Sequence, residues 1–91
     1  MRYAYQPSFL ETTSRLSQGQ SAKLLKAIQK FQLAIENQQW SQGLGMTHLR
    51  GDYFEFRVGL RVRVVYRRAE ALVQYVLYGS HDDVKRFVKR L

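Results

Sequence analysis

The sequence predicts an α+β fold, in which a mostly antiparallel sheet carries two amino-terminal helices on one face. Two patterns lead to this prediction. Between residues 20 and 37, apolar side chains recur at three- and four-residue steps, as they do on one face of an amphipathic helix. Between residues 53 and 77, short runs alternate apolar and polar side chains or are apolar throughout, with turn residues between them. We expect the order β-α-α-β-β-β-α in a single domain, residues 1–91.

The first residues predict a strand and a short helix. Residues 2–6 alternate tyrosines with other side chains and end at Pro7, which suits a strand. Ser8 and Glu11 have the spacing of a capping box, which predicts a helix over residues 8–16. Its inward side chains are expected to be Phe9, Leu10 and Leu16.

The second helix, over residues 20–37, is the clearest helical pattern in the chain. Its apolar face consists of Leu24, Ala27, Ile28, Phe31, Ala34 and Ile35. Three lysines, Lys23, Lys26 and Lys30, fall outside that face. We interpret them as a solvated helix surface, and a binding surface is the alternative.

Residues 37–46 contain two glycines and many polar residues, which predicts a connection without a helix or strand of its own. Trp40 lies within it. We expect Trp40 to pack against the core, and a platform for stacked bases is the alternative.

The next two runs predict a hairpin. Residues 53–58 and 61–66 both alternate, and Gly59-Leu60 between them suits a two-residue turn. One face of the pair is then apolar and includes Tyr66. The other face gathers the charged residues Glu55, Arg57, Arg61 and Arg63. This group is either an anion site or a lattice of cross-strand ion pairs on an exposed sheet.

The last strand and helix follow. Residues 72–77 are apolar on both faces, as expected of a strand with neighbours on each side. A final helix over residues 83–91 is expected, capped by Ser80 or Asp82. Its inward side chains are expected to be Val84, Phe87, Val88 and Leu91. His81 lies at the carboxyl end of the strand, just before this helix.

Charge and composition narrow the function. The chain has 15 Lys and Arg against 7 Asp and Glu, a formal charge of +8, which favours a polyanionic partner, nucleic acid first. It has no cysteine and only two histidines, so we expect no disulfide, no structural zinc and no other cofactor. No apolar run approaches the roughly 20 residues that span a bilayer, so we expect a cytoplasmic protein without a membrane partner.

Residues 48–68 resemble the sheet signature of the RelE/ParE superfamily, the toxins of bacterial type II toxin–antitoxin pairs. In that family a Leu-(Lys/Arg)-Gly turn leads into a hairpin whose second strand reads Arg-x-Val-Tyr. The matching residues here are Leu49-Arg50-Gly51 and Arg63-Val64-Val65-Tyr66. The preceding helix pair and the last strand ending in a histidine also resemble the family, so the likeness covers nearly the whole chain. It implies the small RelE-like microbial RNase fold.

The resemblance also implies an activity. Members include ribosome-dependent mRNA endonucleases, in which a ribose 2′-hydroxyl attacks the adjacent phosphate without a metal ion. By likeness, Arg63 contacts the scissile phosphate, Arg57 is the basic residue of the neighbouring strand, and His81 is the catalytic histidine of some members. An imidazole exchanges protons near neutral pH, and Glu55 is expected either to act as a base or to orient Arg57. The residues expected to bind the RNA backbone are Arg61, Arg50, Arg67 and Lys85.

The sequence departs from the family at two places and leaves other functions open. Glu55 and Arg57 stand where some members have two lysines, and the carboxy-terminal tyrosine that some members use in catalysis is absent. The alternatives are a ParE-like DNA gyrase inhibitor and an inactive basic binding domain. All toxin interpretations imply an acidic antitoxin encoded by an adjacent gene and a toxin–antitoxin hetero-oligomer. His48 is expected to have a surface or strand-edge role.

Overall fold

The computed structural model describes residues 1–39 and 45–91 of the chain. Its elements are β1 (Arg2–Tyr5), α1 (Pro7–Thr13), α2 (Gln18–Glu36), β2 (Thr47–Arg50), β3 (Tyr53–Val58), β4 (Val62–Ala69), β5 (Leu72–Ser80) and α3 (His81–Lys89). The strands form one sheet in the order β1-β5-β4-β3-β2. Only the β1–β5 pair is parallel among these strands. The predicted α+β fold class is confirmed, and the predicted order lacks one strand, β2. Trp40 lies outside the described residues.

The helix starts differ from the predicted ones. Pro7 is the first residue of α1 and Gln6 precedes it without a side-chain cap, so the predicted Ser8 capping box is wrong. The Ser8 hydroxyl instead donates to the carbonyl oxygen of Val76, 2.6 Å away, and ties α1 to β5. Ser17 and Gln20 form the capping box that begins α2. Both boxes have the same sequence spacing, so the tertiary contact of Ser8 decides between them.

The main core lies between α1, α2 and one face of the sheet, which confirms the predicted packing of the amino-terminal helices. Five residues of α2 are buried there: Leu24, Ile28, Phe31, Ala34 and Ile35. Tyr66 and Tyr75 contribute fully buried rings from β4 and β5. Phe9 of α1 is buried, whereas Leu10 is 56% exposed, so the inward orientation predicted for Leu10 is wrong.

A second, smaller core lies on the opposite face of the sheet, beneath α3. It buries Val65, Val76 and Val84, and Phe87 and Val88 pack against them. The alternation places Val65 on the same face as the charged residues, and the structure buries it there. The reason is that α3 follows β5 directly and packs its own apolar stripe on β4 and β5. Only the part of this face that α3 leaves uncovered can carry charge at low cost.

The hairpin between β3 and β4 has a three-residue connection. Val58 pairs with Val62, which places Gly59, Leu60 and Arg61 in the turn. The predicted two-residue turn is wrong, because it would pair Val58 with a residue of the opposite face. With three residues between the strands, Phe56 and Val58 of β3 face the main core together with Val64 and Tyr66 of β4. Arg61 consequently lies outside the strand ladder and is exposed.

No helix in the described part of the chain is long and apolar enough to cross a membrane.

Candidate active site

The candidate site lies on the α3 face of the β3–β4 hairpin, near the turn. The Cα partners across the two strands are Arg57 with Arg63 and Glu55 with Val65. Val65 packs beneath α3. Because strand side chains alternate, Glu55, Arg57 and Arg63 all belong to this face. The strand register therefore gives Glu55, Arg57 and Arg63 positions on one face, whereas Arg61, which was predicted on the same face, lies in the turn.

Glu55 and Arg63 form an ion pair at the centre of the site. Nη1 of Arg63 donates to Oε1 of Glu55 at 3.1 Å. Glu55 is only 4% exposed, while the Arg63 side chain keeps 23% of its surface open to solvent. The buried carboxylate thus holds one guanidinium nitrogen of Arg63, and the exposed part of the guanidinium remains able to meet a ligand. One role expected of Glu55 from the sequence is to orient Arg57, whereas in the structure Glu55 pairs with Arg63.

Arg57 extends in another direction, toward the chain that enters β2. A Cβ atom built on Gly45 would lie 2.1 Å from Nε of Arg57, so the guanidinium packs directly against the Gly45 backbone. Gly45 also has a φ of +60°, a conformation that favours glycine. A side chain at position 45 would therefore displace Arg57, and Gly45 is a residue of the site that sequence reasoning missed. A glycine beside a strand is its only sequence signal.

His81 reaches the same end of the sheet by a different route. It is the first residue of α3, and Ser80 just before it pairs with Val62 at the start of β4. His81 is exposed, so an accessible imidazole lies at the same end of the sheet as the partly exposed guanidinium of Arg63. Arg61 in the turn lies next to Val62 and is also near this end. Lys85 lies one helical turn after His81 on the same exposed side of α3.

A capping box holds the start of α3 against the sheet. The Ser80 hydroxyl accepts from the Asp83 N–H at 3.1 Å, and Oδ2 of Asp83 accepts from the Ser80 N–H at 2.8 Å. These hydrogen bonds, the backbone N–H of Ser80 foremost, lower the pKa of Asp83. A Cβ on Gly79 would lie 2.8 Å from the Asp83 side chain, so the tight approach needs glycine there. Gly79 pairs with Arg63, so the capping box fixes the start of α3, and with it His81, two residues after the partner of that arginine.

Two of the predicted RNA-binding residues lie at the far end of the hairpin. Arg67 pairs with Tyr53, and Tyr53 also pairs with Arg50 on its other side. Four residues of strand separate Arg67 from Arg63, which is about 13 Å. Nε of Arg67 is also 2.8 Å from Oδ2 of Asp52, and this hydrogen bond lowers the pKa of the Asp52 carboxyl. The structure thus separates Arg50 and Arg67 from the Arg63 site.

Toxins are among the solved structures with the same architecture. YafQ from E. coli matches with a TM-score of 0.67 at 14% identity, over 92% of this chain and 98% of YafQ. YafQ in the E. coli DinJ–YafQ complex matches with a TM-score of 0.66 at 13% identity and the same coverage. A copper-bound mutant toxin from Helicobacter pylori matches with a TM-score of 0.66 at 15% identity, again over 92% and 98%. The chain has the RelE-like toxin fold. No protein-family model and no curated protein sequence matches it.

Tyr66 and His48, both in the segment that resembles the RelE/ParE sheet, lie outside the candidate site. Tyr66 is fully buried among Phe31, Phe54 and Phe56, as expected from the alternation, and burial raises the pKa of its hydroxyl. Among the residues that the structure describes, none forms a hydrogen bond with the Tyr66 hydroxyl. His48 lies on the edge strand β2, as predicted, with Nε2 2.7 Å from the Gly51 carbonyl oxygen.

In residues 1–39 and 45–91, no three His, Asp or Glu side chains come close enough together to hold a metal ion.

Proposed function

We propose that this chain is the single-domain toxin of a toxin–antitoxin pair and that it cuts mRNA by attack of a ribose 2′-hydroxyl on the adjacent phosphate. The observation that carries the proposal is Arg63 at the open end of the hairpin, held by the buried Glu55 with part of its guanidinium exposed. The shared fold with solved toxins supports it. The net charge of +8 supports a polyanionic substrate.

The reaction needs cations where negative charge develops. As the bond from O2′ to phosphorus forms and the bond from phosphorus to O5′ breaks, charge grows on the non-bridging phosphate oxygens. Arg63 would donate to these oxygens with the part of its guanidinium that Glu55 leaves free. A guanidinium already fixed by a carboxylate loses less conformational entropy when it binds the transition state. Glu55 therefore acts as a positioning residue for Arg63 and not as the base.

His81 would handle the proton of the leaving group. It is exposed at the start of α3, beside the β4 end that carries Arg63. In this role the imidazolium donates its proton to O5′ as the phosphorus–oxygen bond breaks, and the 2′-hydroxyl proton passes to water. Arg61 and Lys85, both exposed near the same end, would bind flanking phosphates.

The partners follow from the charge and the fold. An acidic antitoxin would cover the basic surface and neutralise the toxin, as a DinJ–YafQ toxin–antitoxin complex exists for a protein of this fold. Its gene is expected next to this one. The substrate would be mRNA in the cytoplasm, read on the ribosome.

The test is inducible expression in a bacterium, with growth measured and transcript ends mapped. We expect growth arrest and new 5′ ends within coding regions, and purified protein with ribosomes should cut mRNA in the presence of EDTA. Arg63→Ala should abolish cleavage, and Arg15→Ala, which removes an exposed arginine between α1 and α2, should not. Because loss of Arg63 leaves Glu55 unpaired, Glu55→Gln/Arg63→Ala is the second inactive variant. DNA-damage signalling with intact transcripts would refute the proposal in favour of gyrase, and unharmed growth would refute any toxin.

A further inference from the structure

Arg57 belongs to a second basic surface that the proposed chemistry does not use. A cavity of about 490 Å³ separates α2 from the end of β3. Lys23, Lys26 and Lys30 line it from the α2 side, and Arg57 lines it from the β3 side. We call the space between these four cations the lysine groove.

Helix geometry explains the alignment of the lysines. Positions 23, 26 and 30 are separated by three and four residues, so the three side chains lie on one side of α2. With a rise of about 1.5 Å per residue, they span about 10 Å along the helix axis. The stripe is therefore long enough to face more than one phosphate of a nucleic-acid strand.

The lysine groove has no compensating negative charge in the part of the chain that the structure describes. No Asp or Glu is among its described lining residues, and none of its four cations forms one of the ion pairs found there. All four side chains are exposed. Like charges placed this close repel one another, and they raise the local concentration of anions. The arrangement costs stability, and an anionic ligand would offset this cost.

The groove floor and its position define the ligand further. Ala27 and Val58 line the groove between the cations, which leaves an apolar surface beneath a charged rim. Arg57 is the Cα partner of Arg63, and its side chain lines the groove on the α2 side of β3, so Arg57 lies between the groove and the Arg63 site on the α3 face. A strand whose scissile phosphate lies at Arg63 would continue past Arg57 and along the lysines.

We propose that the lysine groove binds the phosphate backbone of the single-stranded RNA that flanks the scissile phosphate. This inference rests on the proposed endonuclease function and adds the path of its substrate. The lysines interpreted from sequence as a solvated surface become a binding surface because β3 places Arg57 opposite them.

The experiment measures RNA binding apart from cleavage. The probe is a fluorescein-labelled, fully 2′-O-methylated RNA of 12 nucleotides, which has no 2′-hydroxyl for the attack, followed by anisotropy between 50 and 300 mM salt. The groove variant is Lys23→Gln/Lys26→Gln/Lys30→Gln. The matched control, Arg2→Gln/Arg15→Gln/Lys89→Gln, removes the same charge from exposed positions outside the groove. Thermal unfolding by circular dichroism confirms that both variants fold.

Counterion release sets the expected size of the effect. Three lost contacts to a single strand reduce the slope of log K against log salt by about 2 and weaken binding roughly 100-fold at 0.1 M salt. The control variant should lose less than about fivefold, the effect of one contact. Equal losses in the two variants, or no loss in either, would overturn the inference. A fluorescein-labelled acidic peptide serves as a second probe. If the groove variant lost binding to this peptide and kept its binding to the RNA, the inference would also be overturned.

Failure of the groove and failure of the proposed function give different results. A protein that cuts mRNA while its groove variant and control bind the RNA equally refutes the groove alone. A protein that cuts no mRNA but loses RNA binding only in the groove variant refutes the nuclease and supports the groove as an RNA-binding surface.

Discussion

The ion pair between Glu55 and Arg63 makes a quantitative prediction about stability. Arg63→Ala leaves the Glu55 carboxylate, 4% exposed, without the guanidinium that stands 3.1 Å away. Breaking a fully buried ion pair by removing one partner costs about 3–5 kcal/mol. The Arg63 side chain is 23% exposed, so water can replace part of the lost interaction. We therefore expect Arg63→Ala to lower the free energy of unfolding by about 2–3 kcal/mol.

Glu55→Gln is the complementary change and should cost less. The glutamine amide oxygen can still accept from Arg63, and the partly exposed guanidinium can be solvated, so we expect a loss of about 1 kcal/mol. In the double variant no carboxylate remains unpaired. Its loss of stability should be smaller than the sum of the single losses by about 1–2 kcal/mol.

Urea unfolding of the four proteins, followed by far-ultraviolet circular dichroism, measures this coupling. The slope of the free energy against urea should be the same in all four, because the folded surface is unchanged. A domain of this size loses roughly 4–8 °C in melting temperature per kcal/mol, so thermal unfolding gives an independent check. Losses that add within about 0.5 kcal/mol would refute the assignment of Glu55 as the residue that holds Arg63.

Four further predictions concern single side chains. His81→Gln should reduce mRNA cleavage by about 10²–10⁴-fold with an unchanged melting temperature, because His81 is exposed; cleavage at the wild-type rate would remove it from the chemistry. Tyr66→Phe removes a buried hydroxyl that has no hydrogen-bond partner among the described residues, so the free energy of unfolding from urea titration should stay the same or rise by up to about 1 kcal/mol. A decrease of more than about 1 kcal/mol would show that the hydroxyl is hydrogen-bonded. Ser80→Ala should cost about 1 kcal/mol through loss of the α3 cap, measured by urea unfolding. Hydrogen bonds in the folded protein lower the pKa of Asp83, so the stability that its carboxylate contributes is present at neutral pH and is lost as the pH falls below about 4. Asp83→Asn should therefore destabilise the protein at about pH 7 and not at about pH 2, and an equal loss of stability at about pH 2 would contradict this.

The fold followed from local patterns wherever those patterns were long. The 19 residues of α2 repeat with helical period, and β3, β4 and β5 carry clear alternation or apolar runs. The strand β2 escaped prediction because four residues with one half-buried side chain give almost no periodic signal. It is a strand because β3 offers it a backbone partner. Whether Ser8 or Ser17 caps a helix likewise depends on a contact 68 residues away in the sequence.

For the candidate site, the sequence by itself determined that Glu55, Arg57 and Arg63 have positions on one face of the hairpin, because strand side chains alternate with a period of two. It placed Arg61 on that face as well, which the three-residue turn contradicts. It did not determine their partners. In the folded chain Glu55 is buried and pairs with Arg63, which stays partly open, while Arg57 packs against Gly45 and lines a cavity with the lysines of α2. Arg50 and Arg67 lie at the other end of the hairpin from Arg63, because the strand register pairs both of them with Tyr53. Alternation is set within a few residues by backbone geometry, whereas burial, ion-pair partners and register depend on elements that meet only when the whole chain has folded.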